Sequence, residues 1–479
     1  MRSLLKKSVF PACLAALIMS CQTSSIETLS DLAVQTNRPA GAPKYSDVSF
    51  SSRWPHPRDV NDPHDTFRDA AAFHATRLDW VYSFDPEWIR ESKARGFHFG
   101  GALNTKLPDK PDGVERKKGR VLNQKAELVT APWMATWEHW WGCVNNPAYR
   151  QIYLEHAKLI IDGGADVLHM DDPGLNYAAV EWGGCFCDFC REKAAAQGVD
   201  LQTGMKAFQK ASVTDFYRWF RDEIDRYAGR RVPMSSNNYE GVWGFPYNLF
   251  DFGIAELPEP LGTPHQMYQK FSWFARHDIA QVFTFVSVDV ALYRRVIATA
   301  YSCGGHVLAP YDVYHENHPR IFGKPEDYAD LYGFARAMAG YLDGYEDAAV
   351  AGQGFADERF AELPSVEIAA DSVYAFVRAR PHDASAPVVI HMVDWRSRPE
   401  PTTIMLLPVR FFAENKVVAE LFVPPAYESD DHVAAEKSGD FAELKFGQSL
   451  QPKEEGKLIQ LDIPALHPWG MIIVKPQTD

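Results

Sequence analysis

The sequence predicts an α/β fold, a (β/α)8 TIM barrel followed by a small all-β sandwich domain. Three observations carry that prediction. From about residue 75 short apolar runs alternate with helical stretches, the pattern of a parallel sheet wrapped by helices. The alternation repeats often enough to supply eight strands, which favours a closed barrel over an open sheet. After Gly344 the pattern changes to short alternating runs punctuated by Pro, Asp and Gly, the signature of a sandwich.

The chain opens on a positive segment (Arg2, Lys6, Lys7), an apolar stretch from Val9 to Met19, and Ile18-Met19-Ser20-Cys21. This reads as a lipoprotein leader, residues 1–20, with Cys21 as the lipidated residue anchoring the chain to a membrane. The apolar stretch is too short to span a bilayer as a helix. The localisation expected is therefore exported and lipid-anchored, on the periplasmic or cell-surface side. Residues 21–46, rich in Ser, Thr, Ala and Pro, read as a tether. The barrel is expected over 47–344 and the sandwich over 345–479.

The expected barrel strands are Ala75–Tyr82, His98–Leu103, a weak one near Leu128–Trp133, Val167–Met170, Val232–Ser235, Phe252–Ala255, Val282–Val286 and His306–Ala309. Helices are read at Pro86–Arg95, at Asn146–Asp162 before the Gly163-Gly164 stop, at Val213–Tyr227, and from Pro325 to about Leu342. In the sandwich, Val373–Arg378, Val388–Val393, Thr402–Leu407, Val417–Phe422 and Met471–Val474 are the strands.

A net charge of −14, or −17 once Arg2, Lys6 and Lys7 leave with the leader, argues against a polyanion-binding groove, and no nucleic-acid partner is expected. Oligomeric state is not legible. With 46% hydrophobic residues the chain can bury cores for both domains.

Five cysteines lie beyond the leader and anchor. Cys185, Cys187 and Cys190 form C-x-C-x-x-C just after the fourth expected strand, and Cys143 lies upstream in Trp-Trp-Gly-Cys. Four thiolates on two loops make a tetrahedral zinc site. Disulfides are the alternative in an oxidising compartment. Cys303 is left over as a buried core thiol.

A lone cysteine before C-x-C-x-x-C beside the fourth strand resembles the structural zinc site of family 42 glycoside hydrolases. The resemblance implies a barrel that hydrolyses sugars, with Cys143, Cys185, Cys187 and Cys190 binding a structural zinc beside the cleft and no organic cofactor. The chain departs from that family in lacking its Asn-Glu pair on strand four and its glutamate on strand seven. An aspartate on strand four with an acid on strand six looks more like barrels of the α-galactosidase type, where the fourth-strand aspartate is the nucleophile.

Barrel sites assemble at the C-terminal ends of strands, and glycoside cleavage needs two carboxyls from different strands. The fourth strand ends in His169-Met170-Asp171-Asp172-Pro173-Gly174 and the sixth in Glu256-Leu257-Pro258-Glu259. Asp171 or Asp172 with Glu256 is the expected catalytic pair. Trp137, Trp140, Trp141, Tyr239 and Trp243 offer rings for the apolar faces of a sugar, and Asn237, Asn238 and Asp312 offer polar contacts to its hydroxyls. Arg53 and His56 add charge suited to an acidic sugar. The function expected is a glycoside hydrolase acting on an oligo- or polysaccharide. The competing class is a glycan-binding lipoprotein of a polysaccharide-uptake system that cleaves nothing.

Overall fold

The computed structural model describes residues 26–106, 117–137, 140–314, 319–355, 364–412, 416–427 and 447–477. Eight parallel strands follow one another in chain order around a barrel: β1 (Ser49–Phe50), β2 (Arg77–Val81), β3 (His98–Asn104), β4 (Val167–Asp171), β5 (Met234–Ser236), β6 (Phe252–Pro258), β7 (Gln281–Val286) and β8 (His306–Val307). The Ala309 amide donates to the Ser49 carbonyl at 2.9 Å, bringing the last strand back to the first.

The expected strand near Leu128–Trp133 is absent. Leu128 makes only an isolated bridge to Leu122, and Pro132–Trp137 winds into a 3-10 helix. The eighth strand is instead β1, two residues long and upstream of everything the apolar pattern marks. Two residues carry no periodicity, so only the pairing Ser49↔Arg77 and Phe50↔Leu78 reveals it.

Local chemistry sets the helices. Asn146 caps Pro147–Asp162 by accepting from the Ala148 amide, with Pro147 in the first turn where its missing N–H costs nothing. Asp85 and Pro86 do the same for Pro86–Ala94. Gly101 lets β3 sit against the first of these helices, since a Cβ there would lie 2.4 Å from Ile160. Leu201–Ala228 runs for 28 residues and buries Val213, Phe216, Phe220 and Ile224 on one face. No helix among the described residues is long and apolar enough to cross a membrane.

The C-terminal strands are β9 (Glu346–Gly352), β10 (Val366–Ile368), β11 (Val373–Ala379), β12 (Val388–Asp394), β13 (Thr402–Leu406), β14 (Val417–Phe422), β15 (Gln448–Leu450), β16 (Lys453–Glu455), β17 (Leu458–Ile463) and β18 (Trp469–Pro476). They form antiparallel sheets of six strands (β15-β14-β18-β12-β11-β9) and four strands (β10-β13-β17-β16). Val377, Ile390, Ile404, Leu461 and Ile472 fill the space between. Trp469, fully buried, stacks on Tyr301 and meets Phe334 edge-on, so the sandwich shares apolar core with the barrel helices.

The segment expected to be a tether is packed from residue 29 onward. Leu29 and Ala33 are buried in the sandwich core, and Tyr45 donates to Glu346 at 2.6 Å. Small and polar composition there does not report the two apolar side chains that dock it.

Candidate active site

β4 is buried along its whole length and ends on Asp171. Its carboxylate accepts from two sides: from the Tyr82 hydroxyl, just past β2, and from the Asn237 amide, just past β5, at 3.0 Å. Asp172 leaves the strand in the left-handed region (φ 53°), which turns its carboxyl away from its neighbour's path and onto the Tyr239 hydroxyl at 2.7 Å. Burial, reinforced by the charge of Asp171, pushes its pKa up to about 7.

Glu256 lies near the end of β6 with its side chain 29% exposed. Burial raises its pKa, while Arg53 and the Asn237 amide oppose the shift. One carboxyl oxygen, Oε2, is buried without a hydrogen-bond partner. The Arg53 guanidinium stands 4.0 Å from Oε1, and its carbon lies over the Trp80 ring, 3.6 Å from the centroid. Trp80 occupies a bulge in β2 (φ 57°) and forms the floor of the mouth, touching His169 on its other side. His169 bonds Ser235 at 3.0 Å and is fully buried, which drives its pKa down to about 3; it is a neutral core residue.

The mouth thus gathers Asp171, Asp172, Glu256, Asn237 and Tyr239 from the sequence-derived set. Several other members make their contacts elsewhere. Asn238 points the opposite way from Asn237 and is sealed, its amide engaged with Gln281 and the Val242 carbonyl. Trp141 is wholly buried in the apolar cluster around the cysteines. Asp312 is 1% exposed and committed to Arg320 in an ion pair, with His56 4.0 Å away. His56 is itself held by Asp62 at 2.5 Å. Trp140 is half-buried and its carbonyl accepts from Arg120, whereas Trp243 packs edge-on against Phe274. Trp137 ends the 3-10 helix noted above, and its side chain lies outside the described residues, as do Cys21 and the leader.

Tyr82 was missed by the sequence reading. It closes the expected strand Ala75–Tyr82 and sits one residue beyond β2, but only the placement of β2 against β4 around the barrel shows that its hydroxyl meets Asp171.

The cysteines converge. The Sγ atoms of Cys143, Cys185, Cys187 and Cys190 all lie within 4.8 Å of one another, buried, and all four are free rather than disulfide-bonded. Cys143 Sγ is 3.5 Å from Cys190, 3.7 Å from Cys185 and 3.7 Å from Cys187. Tetrahedral coordination with metal–sulfur bonds of about 2.3 Å requires sulfur–sulfur edges of about 3.8 Å. The donor set fits one thiophilic metal ion. Asn145 donates to Cys190 Sγ at 3.3 Å and Gln209 at 3.8 Å, the outer contacts that orient such ligands.

No family model matches the chain, and no curated protein matches it in sequence. Solved structures do. A cycloisomaltooligosaccharide glucanotransferase from Paenibacillus sp. is similar over 90% of this chain and 85% of its own, with a TM-score of 0.54 and 10% identity. A maltogenic α-amylase from Thermotoga neapolitana is similar over 91% and 99%, with a TM-score of 0.50 and 10% identity. At that identity the likeness shows the fold: a barrel with a β domain, of a kind also found in enzymes of sugar chains. It does not single out family 42.

Proposed function

We propose that this protein is a glycoside hydrolase that cleaves an oligosaccharide with Asp171 and Glu256 as its reacting carboxyls. The observation that carries the reading is Asn237, which donates to Asp171 at 3.0 Å from just past the strand between the two acids and opposes the rise in the proton affinity of Glu256. Glu256, whose proton affinity is raised by burial and whose Oε2 lacks a partner, donates its proton to the glycosidic oxygen. Asp171, held in place by the hydrogen bonds it accepts from Tyr82 and Asn237, attacks the anomeric carbon as the leaving sugar departs. Glu256 then takes a proton from water, the water oxygen displaces Asp171, and both carboxyls return to their starting states. Such a double displacement keeps the anomeric configuration.

Asp172 and Tyr239 flank the reacting pair and serve substrate hydroxyls. The glucanotransferase and amylase named above act on glucans, by their own descriptions, which makes α-glucosides one of the panels to try. Zinc is the ion we assign to the four cysteines, as a structural rather than reacting group. Lipidation of Cys21, with export, completes the proposal; it rests on the sequence motif, and acyl labelling of wild type against Cys21→Ser tests it.

The test of the reaction is a panel of aryl glycosides and oligosaccharides with wild type, Asp171→Asn and Glu256→Gln. Asp171→Asn is expected to lose at least about 1000-fold in kcat/KM on every substrate. Glu256→Gln is expected to lose about 100-fold or more on sugars with poor leaving groups, yet retain turnover of dinitrophenyl glycosides that need no protonation. Undiminished activity in either variant removes that residue from the reaction. Binding on a glycan array without any turnover by wild type moves the protein to the glycan-binding class.

A further inference from the structure

We infer that the sugar bound beside the acids carries a negatively charged substituent, a carboxylate or a sulfate, and that Arg53 is the residue that receives it. The inference rests on the glycosidase reading for its location and adds a substrate class to it.

Arg53 has a side chain only 6% exposed. A guanidinium carries five N–H donors and keeps its charge at any physiological pH. Taking it out of water is costly unless an anion or several acceptors meet it. Among the described residues none does so at hydrogen-bond distance. Its one carboxylate neighbour is Glu256 Oε1, at 4.0 Å. What holds the group is the Trp80 ring beneath it, its centroid 3.6 Å from the guanidinium carbon, a contact that uses none of the N–H donors.

Glu256 is a poor permanent counter-ion. When it holds the proton that the reaction requires, it is neutral, and no other described carboxylate stands within 4.0 Å of Arg53. Asp171 is already committed to Tyr82 and Asn237, and Asp172 to Tyr239. A buried cation beside the acids, whose donors meet no acceptor at hydrogen-bond distance among the described residues, has the chemistry of an anion receptor. A sugar carboxylate matches the fork with two parallel hydrogen bonds, and a sulfate ester can present the same pair of oxygens.

The surroundings extend the same charge. Trp54, the next residue, lies beside Tyr82 at 5.8 Å and has the guanidinium of Arg58 at 5.0 Å and that of Arg320 at 4.9 Å from its ring. Arg58 is exposed and in no ion pair among the described residues. Arg320 is paired with Asp312. Arg53 and Arg58 are thus two guanidiniums at one side of the mouth that no carboxylate meets at hydrogen-bond distance among the described residues. The backbone is bent to present Arg53, which takes a left-handed φ of 59° while the Trp54 amide closes on the Ser52 carbonyl at 2.6 Å. Such conformations persist where the surrounding structure demands them.

The test compares wild type on matched aryl glycosides: the uronide, the sulfated sugar and the neutral parent. The expected result is a preference of about 100-fold or more in kcat/KM for one anionic member over the neutral parent. A higher rate on the uronide assigns the carboxylate, and a higher rate on the sulfated sugar assigns the sulfate. In Arg53→Met the anionic-to-neutral ratio is expected to fall about 100-fold; being a ratio within one preparation, it is insensitive to the fraction of variant that folds. Equal use of neutral and anionic sugars by wild type, or a variant that loses both alike, overturns the assignment. If wild type turns over none of them, the glycosidase reading fails by itself, and binding of wild type to acidic against neutral oligosaccharides then decides the anion site: selective retention of the acidic ones supports it, and indifference ends it.

Discussion

Tyr239 donates its hydroxyl to Asp172 at 2.7 Å, tying the loop after β5 to the loop after β4 across the mouth of the barrel. Both residues hold positive φ, 32° and 53°, so the contact is made by two turns that each depart from the strand path. Asp172 is meanwhile short of solvent and beside the charge of Asp171, and its pKa rises to about 7 from an ordinary 3.8.

That shift makes stability depend on pH in a stated direction. The unfolded chain releases the Asp172 proton near pH 4, whereas the folded chain keeps it until about 7. Between those values the folded state binds more protons, so this group's contribution is most favourable at low pH and declines as pH rises through the window. Asp172→Asn keeps an acceptor for Tyr239 and removes the titration. Its stability relative to wild type is expected to improve by on the order of 2 kcal/mol between pH 4.5 and 8, measured by urea unfolding at each pH. A difference that stays constant across this range would show that Asp172 titrates normally.

Tyr82 is the second donor to Asp171. In Tyr82→Phe the ring remains to pack beside Trp54 while the anion loses one hydrogen bond. kcat is expected to fall about 10-fold, the scale of one hydrogen bond to a charged group, with KM changed less than about 2-fold. A variant with raised KM and intact kcat would place Tyr82 in sugar binding instead.

The cysteine cluster predicts one zinc per chain by elemental analysis. Native protein is expected to show slow reaction at all four thiols, and denaturation with a chromogenic chelator to release the metal. Cys187→Ser leaves three ligands and is expected to lower Tm by more than about 5 °C, since metal-binding free energy is folding free energy at such a site. Four rapidly reactive thiols and no metal in native protein would sink the assignment.

What the sequence made legible follows from the kind of signal each feature leaves. Asp171, Asp172 and Glu256 could be found because the apolar runs Val167–Met170 and Phe252–Ala255 stop just before them, and barrel chemistry sits at strand ends. The cysteines could be found because their spacing is local. β1 could not, being Ser49 and Phe50 alone, and the run near Leu128–Trp133 resembled a strand because its residues are apolar for another reason: Val129, Ala131 and Met134 bury against the cysteine loops. Aromatic residues misled in the same way, since Trp141 stabilises that cluster and offers nothing to the mouth. Composition records that a side chain is buried or stacked, without recording against what.

Asn237 and Asn238 sharpen this to a single residue. Asn237 supports the acids, and Asn238 forms a reciprocal amide pair with Gln281, donating at 2.9 Å and accepting at 3.1 Å, where both residues are essentially without solvent. Gly253 lies directly over that pair, since a Cβ there would come within 2.2 Å of Gln281, and so nothing can move in to replace a lost partner cheaply. Asn238→Ala therefore leaves Gln281 Oε1 without its donor in a dry site, while Nε2 keeps the Val282 carbonyl, and is expected to cost about 1–3 kcal/mol of stability, with kcat/KM per folded molecule within about 2-fold of wild type. Asn237→Ala should do the reverse, lowering kcat by about 10-fold or more at a smaller stability cost, because what it removes is a donor to the reacting anion. Parallel thermal unfolding and initial-rate measurements on the two variants separate the roles, and a large activity loss in Asn238→Ala at unchanged Tm would return that residue to the cleft.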